Sequence, residues 1–291
     1  PLHETQIFEH LGLSPVGIED VSCNSQVFVA SNEGNINHVA SQLSHQTEPA
    51  PSHNRVLLGV SGPDLFNLAI NTEANYIVVV DNSPAVILFW QELRKLLISL
   101  DTRQEVGKGI FELIKDHPEW FSGFCFSELL KYFEKKLFKF ELSSEDTWLS
   151  SDEHFSFIKN IIMKQGLIIC PLSISDPGKI EGLCRYLNSQ ELYIHTVYIS
   201  NAYSWHLKYN KLSKRAKHRL RQSTHHLLSK QSLGINRRAR RPRNIVFAQR
   251  YREHGSSVSL DSRATRMLKS SNEFLVDFDS WVEELDAIYR K

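Results

Sequence analysis

The stretch "RVLLGVSGPDLFNLAI", residues 55–70, decides the fold. It opens on a continuous apolar run, "RVLLGV", and passes into Leu65, Leu68 and Ala69 at helical spacing, with Gly59, Gly62 and Pro63 at the junction. An unbroken apolar run fits a strand buried on both faces, whereas a strand with one wet face would alternate. The next residues repeat the pattern: "NYIVVVDNS" (75–83) reads as a second buried strand ending in Asp81. "PAVILFWQELRKLLISL" (84–100) then reads as a helix with Pro84 in its first turn. Strand, helix, strand, helix with short links predicts a parallel sheet with crossover helices.

Residues 104–163 interrupt that rhythm. "QEVGKGIFELIKDH", "FSELLKYFEKKLFKFEL" and "DEHFSFIKNIIMKQ" all carry helical spacing, so a helical insertion over 104–163 is expected. "GLIICPLS" resumes as a third strand. "DPGKIEGLCRYLNSQ" follows as a helix capped by Asp176, and "YIHTVYISNAYSW" as a fourth strand running into a loop. "LSKRAKHRLRQSTHHLLSK" is a very basic helix, "RNIVFAQRY" and "EFLVDFD" are candidate late strands, and "SWVEELDAIYRK" a closing helix. The expected division is an N-terminal extension or cap over 1–54 and an α/β domain over 55–291, doubly wound around a mostly parallel sheet.

The 291 residues are 41% hydrophobic, enough for a substantial core. No apolar run reaches the roughly 18–20 residues that span a bilayer, and the opening "PLHETQIFEH" lacks the order of a signal peptide. Four cysteines lie without metal or CxxC spacing, which fits a reducing, cytoplasmic setting. His225 and His226 are adjacent and so point to different helix faces, and no H-x-x-x-H pair is present, which speaks against a metal centre. "GVSGPD" is not the G-x-S-x-G elbow of a hydrolase. The net charge is +1, yet residues 208–252 hold 15 of the 34 Lys and Arg and none of the 33 Asp and Glu. Nucleic acid or anionic lipid headgroups are the expected partners of that segment. It also reads as a solvated face docked on the acidic remainder.

In an open parallel sheet, ligands collect at the carboxyl ends of the strands. Asp81 lies 22 residues after Gly59, near the spacing at which an acid holds a ribose. The pattern is not G-x-G-x-x-G, so a nucleoside without a pyrophosphate fits the bend better. The same residues read equally as a tight turn, with Asp81 capping the helix that starts near Ser83.

The succession of "VLLGVSGPD", "YIVVVDNSP", a helical insertion and "VYISNAYSW" resembles the class I S-adenosylmethionine-dependent methyltransferases, with their Rossmann-like fold, over about residues 55–205. More distantly it is similar to the betaine-lipid type of aminocarboxypropyl transferase. The resemblance implies S-adenosylmethionine as cofactor, with Gly59, Ser61 and Gly62 along its methionine moiety, Asp81 at the ribose, Asn82 beside the adenine and Asp64 also among the cofactor-binding residues. It implies Asp176 near the cofactor as well, because Cys170 and Pro171 stand where the family pattern has an acid at the end of the third strand. Ser200 and Tyr203 match the first and fourth places of the [DNS]PP[YFW] loop of amino-group methylating enzymes, without its prolines. Ser200, Asn201, Tyr203 and Trp205 are then the catalytic candidates, facing the reacting carbon and a small-molecule or anionic acceptor. Read without that resemblance, "YISNAYSW" is a strand end with packed aromatics. A second expectation stands beside the transferase: a binding or regulatory protein on the same fold, using its basic face.

Overall fold

The computed structural model describes residues 4–21, 54–60, 62–121, 127, 130, 131, 134, 147–200, 213–228, 244–250 and 263–268. Helix α1 (Glu4–Leu11) precedes β1 (Arg55–Gly59), α2 (Asp64–Asn71), β2 (Tyr76–Asp81), α3 (Pro84–Ser99) and α4 (Arg103–Asp116). Then come α5 (Asp152–Met163), β3 (Leu167–Pro171), α6 (Pro177–Ser189), β4 (Tyr193–Ser200), α7 (Lys214–Leu228), β5 (Asn244–Arg250) and β6 (Arg263–Leu268). The strands form one sheet in the order β3-β2-β1-β4-β5-β6. All neighbours pair in parallel except β6, which runs antiparallel to β5 at the edge.

The apolar runs are explained by burial on both sides of this sheet. In β1 and β2, Leu57, Ile77 and Val79 face one layer of helices, α2 to α5, while Val56, Leu58, Val78 and Val80 face α1, α6 and α7. Side chains alternate across a strand, so a segment with helices on both faces must be apolar at every position. The expected α/β architecture of a mostly parallel sheet flanked by helices is therefore present.

The described part of the insertion is packed into the first layer. Phe66 of α2 meets Trp90 edge-on at 5.3 Å and Trp148 at 4.9 Å between ring centroids, and all three rings are fully buried. Such pairs add about 0.5–1.5 kcal/mol each beyond their buried area. The Asn67 Oδ1 accepts the Trp148 backbone N–H at 2.8 Å, fastening the turn before α5 onto α2. At its other end Arg103 donates to the carbonyls of Leu149 and Ser150 at 2.8 and 2.7 Å. Most of "FSELLKYFEKKLFKFEL" lies outside the described residues.

The N-terminal helix is held against the sheet. Ile7 is fully buried, and Glu4 accepts the backbone N–H of Ile169 at 2.7 Å through one oxygen and Arg94 at 2.9 Å through the other. Strand β3 is an edge strand, and Glu4 satisfies one of the donors that such an edge leaves without a ladder partner. Strand β5 answers the expectation for "RNIVFAQRY". Strand β6 was not anticipated, and "EFLVDFD" lies outside the described residues.

Candidate functional site

The strand order reverses at β1: its sequence successor β2 lies on one side and β4 on the other. A reversal of this kind leaves a crevice at the carboxyl ends of the two central strands. Gly59, Gly62, Asp64 and Asp81 all lie at the carboxyl ends of β1 and β2, the edge where the sequence placed them. Gly59 pairs in register with Val79, so Asp81 stands two residues past that pair, level with the bend that follows β1.

The bend itself is tight and buried. Gly62, Pro63 and Asp64 are all buried, and Leu65 and Phe66 donate their backbone N–H groups to the carbonyls of Gly62 and Pro63 at 3.2 and 2.8 Å. Pro63 takes the N-cap position of α2 and supplies no side-chain cap. A helix start of this kind attracts anions. Asp64, the first helical residue, places a carboxyl group in this first turn and is 8% exposed.

Gly59 has a packing reason of its own. A Cβ there would lie 2.4 Å from Leu65 Cδ2 and 3.2 Å from Tyr198 Cβ. Its bareness lets α2 and β4 close on β1, and the space is filled by protein. Asp81 is half-buried, and its Oδ1 accepts the Ser83 backbone N–H at 2.8 Å, an Asx-type turn that fixes the carboxylate at the strand tip just before α3. Asn82, between them, is exposed.

Asp176 is the N-cap of α6, as expected, accepting from the backbone N–H groups of Gly178 and Lys179 at 3.1 and 3.2 Å. Its other oxygen faces Arg219 of α7 at 3.7 Å. The turn before it carries a pair not singled out from the sequence, Ser173 and Ser175, whose hydroxyls are 2.8 Å apart. The Ser223 hydroxyl of α7 donates to the Ile174 carbonyl in the same turn. The signal for this junction was the S-x-S-D-P spacing at the helix start. Cys170, near the end of β3, is buried, and burial with Glu4 nearby pushes its thiol up. Ser200 ends β4 and pairs with Phe247 of β5. Ser61, Asn201, Tyr203 and Trp205 lie outside the described residues. Among the described residues no group of His, Cys, Asp or Glu could hold a metal ion, and no helix is long and apolar enough to cross a membrane.

A family described as "Domain of unknown function (DUF7790)" matches residues 28–252, more than three quarters of the chain. The chain belongs to this family. The DUF7790 match takes in β1 to β5, the insertion and the basic helix, so both the crevice and α7 fall within it. No curated protein matches the chain.

Proposed function

We propose that this chain is an S-adenosylmethionine-dependent transferase on a Rossmann-like sheet, moving a methyl or an aminocarboxypropyl group to an acceptor. The observation that carries the reading is Asp81: a carboxylate at the carboxyl tip of β2, level with the bend after β1, beside the point where the strand order reverses. An acid there suits the two hydroxyls of a ribose. The bend also lacks the G-x-G-x-x-G glycines that admit a pyrophosphate, which favours a nucleoside without one over a dinucleotide.

Bound there, S-adenosylmethionine supplies a carbon activated by the adjoining sulfonium. The chain's part is then alignment and exclusion of water more than acid-base chemistry. Asp81 holds the sugar, and the bend from Gly62 to Asp64 borders the amino acid tail. The Phe66, Trp90 and Trp148 cluster holds α2 in position behind the bend.

Calorimetric titration with S-adenosylhomocysteine tests this. Saturable binding by the full chain, lost in Asp81→Ala and absent with NAD, supports it. A folded wild-type chain that takes up no S-adenosylhomocysteine, or an Asp81→Ala variant that binds as well as the parent, rules it out.

A further inference from the structure

Asp81 at the tip of β2 pairs in register with Pro171 at the tip of β3. Parallel neighbours lie about 4.8 Å apart. The turn that follows Pro171 therefore borders Asp81 on the side away from β1. In that turn Leu172 and Ile174 are buried in the core shared with α6 and α7, while Ser173 between them is half-buried. The turn is fixed at several points. The Asp176 backbone N–H donates to the Ser173 carbonyl at 2.9 Å, and the Ser175 N–H donates to the Ser173 hydroxyl oxygen at 3.2 Å. From α7 the buried Ser223 hydroxyl donates to the Ile174 carbonyl.

The hydroxyl oxygens of Ser173 and Ser175 stand 2.8 Å apart, a bond that either one can donate. A serine hydroxyl carries one proton and two lone pairs, whereas a carboxylate only accepts. When Ser175 donates to Ser173, the Ser173 O–H is left to donate to a third group. When Ser173 donates to Ser175, a lone pair on Ser173 is left to accept from one. Turning the shared proton thus makes Ser173 a donor or an acceptor. Asp176, the nearest acid in this turn, is already engaged: one oxygen caps α6 and the other faces Arg219 at 3.7 Å.

The transferase reading, on which this inference rests, puts the ribose hydroxyls at Asp81 and the amino acid tail along the bend after β1. Base and tail leave a ribose from the carbons on either side of those two hydroxyls. With the tail toward β1, the base is directed over the carboxyl end of β3, and a purine joined to its sugar reaches past one strand spacing. We infer that Ser173 meets the six-position of the purine and admits hypoxanthine as readily as adenine. Adenine presents an amine there, a donor. Hypoxanthine presents a carbonyl oxygen, an acceptor. An acid in this place would accept from the amine and repel the carbonyl, whereas the Ser173 hydroxyl meets either by turning its proton.

The test is calorimetric titration of the full chain with S-adenosylhomocysteine and with S-inosylhomocysteine. The parent should bind the two with affinities within about threefold of each other, and Ser173→Ala should weaken both by about three- to tenfold, the worth of one hydrogen bond. Ser173→Asp is the decisive variant. Its side chain accepts the same Ser175 N–H in an Asx-type turn, so the local backbone is kept. It should retain S-adenosylhomocysteine and weaken S-inosylhomocysteine at least about tenfold, since the carbonyl then faces an acceptor. The ratio of the two affinities is the readout, because a merely structural role for Ser173 would shift both ligands together. A parent that prefers S-adenosylhomocysteine by more than about tenfold overturns this inference and leaves the transferase reading standing. So does a Ser173→Asp variant with the parent's melting curve and an unchanged ratio. A folded parent that takes up neither ligand overturns both.

Discussion

Replacing Gly59 with alanine is the sharpest probe of how the crevice is built. The added methyl would sit 2.4 Å from Leu65 Cδ2, 3.2 Å from Tyr198 Cβ and 3.3 Å from the Tyr198 carbonyl oxygen. Leu65 has a flexible end, yet it is fully buried and can turn only into an occupied core. Tyr198 cannot retreat easily, because its carbonyl accepts the Val60 N–H at 3.1 Å and its Cα pairs with Gly59 in the ladder. Overpacking of this kind costs about 1–3 kcal/mol. Alanine recovers about 0.4–1 kcal/mol by restricting the unfolded chain. The net expectation is a loss of about 1–2 kcal/mol, or roughly 2–6 °C in Tm for a chain of this size. Thermal melts followed by circular dichroism measure it, and a double-mutant cycle with Leu65→Ala identifies the contact. The pair should cost at least about 0.5 kcal/mol less than the sum of the singles, since the new methyl enters space that Leu65 vacates. A neutral or stabilising Gly59→Ala, or an additive cycle, would refute the packing reason given for this glycine.

Three further outcomes are expected. Glu4→Ala strips the Ile169 N–H and Arg94 of their acceptor at once, and should lower stability by about 1–3 kcal/mol and speed exchange of the Ile169 amide in hydrogen-exchange NMR. Thr102 and Glu105 form a capping box on α4, and Thr102→Ala should cost about 1 kcal/mol in denaturant unfolding. The Thr102 hydroxyl and N–H hold the Glu105 carboxyl below its ordinary 4.5, so that contribution is complete above pH 4.5 and is lost as the pH falls through the lowered value. The stability gap between the parent and Glu105→Gln should close over the same acid range. Burial pushes both described thiols up, Cys184 to about 12. Iodoacetamide at pH 8 should therefore leave Cys170 and Cys184 unlabelled in the native chain and label them in guanidinium, as read by peptide mass spectrometry.

The strands β1 to β3 were legible because burial on both faces forces an unbroken apolar run bounded by turn residues, and β4 because β-branched and aromatic residues predominate in it although His195 and Thr196 interrupt the run. Strand β6 was not, since "RATRML" is neither an unbroken apolar run nor a strict alternation, and two of its six residues are arginine. The Asp176 cap could be read locally from Asp-Pro-Gly at a helix start. The reason for Gly59 could not: its tightest fixed neighbour, Tyr198, is brought beside it only by the β1 to β4 pairing. Glu4 on the β3 edge was hidden in the same way, 165 residues from the amide it satisfies. Asp64 was visible as an acid in the bend, but its burial emerges only in the folded chain.

The central claim concerns one carboxylate, and a crystal of the chain soaked with S-adenosylhomocysteine tests it most directly. The account predicts the ribose hydroxyls within hydrogen-bonding distance of Asp81, with the amino acid tail along the bend between Gly59 and Asp64. Density for the nucleoside elsewhere on the sheet, or none at saturating concentration, would contradict it.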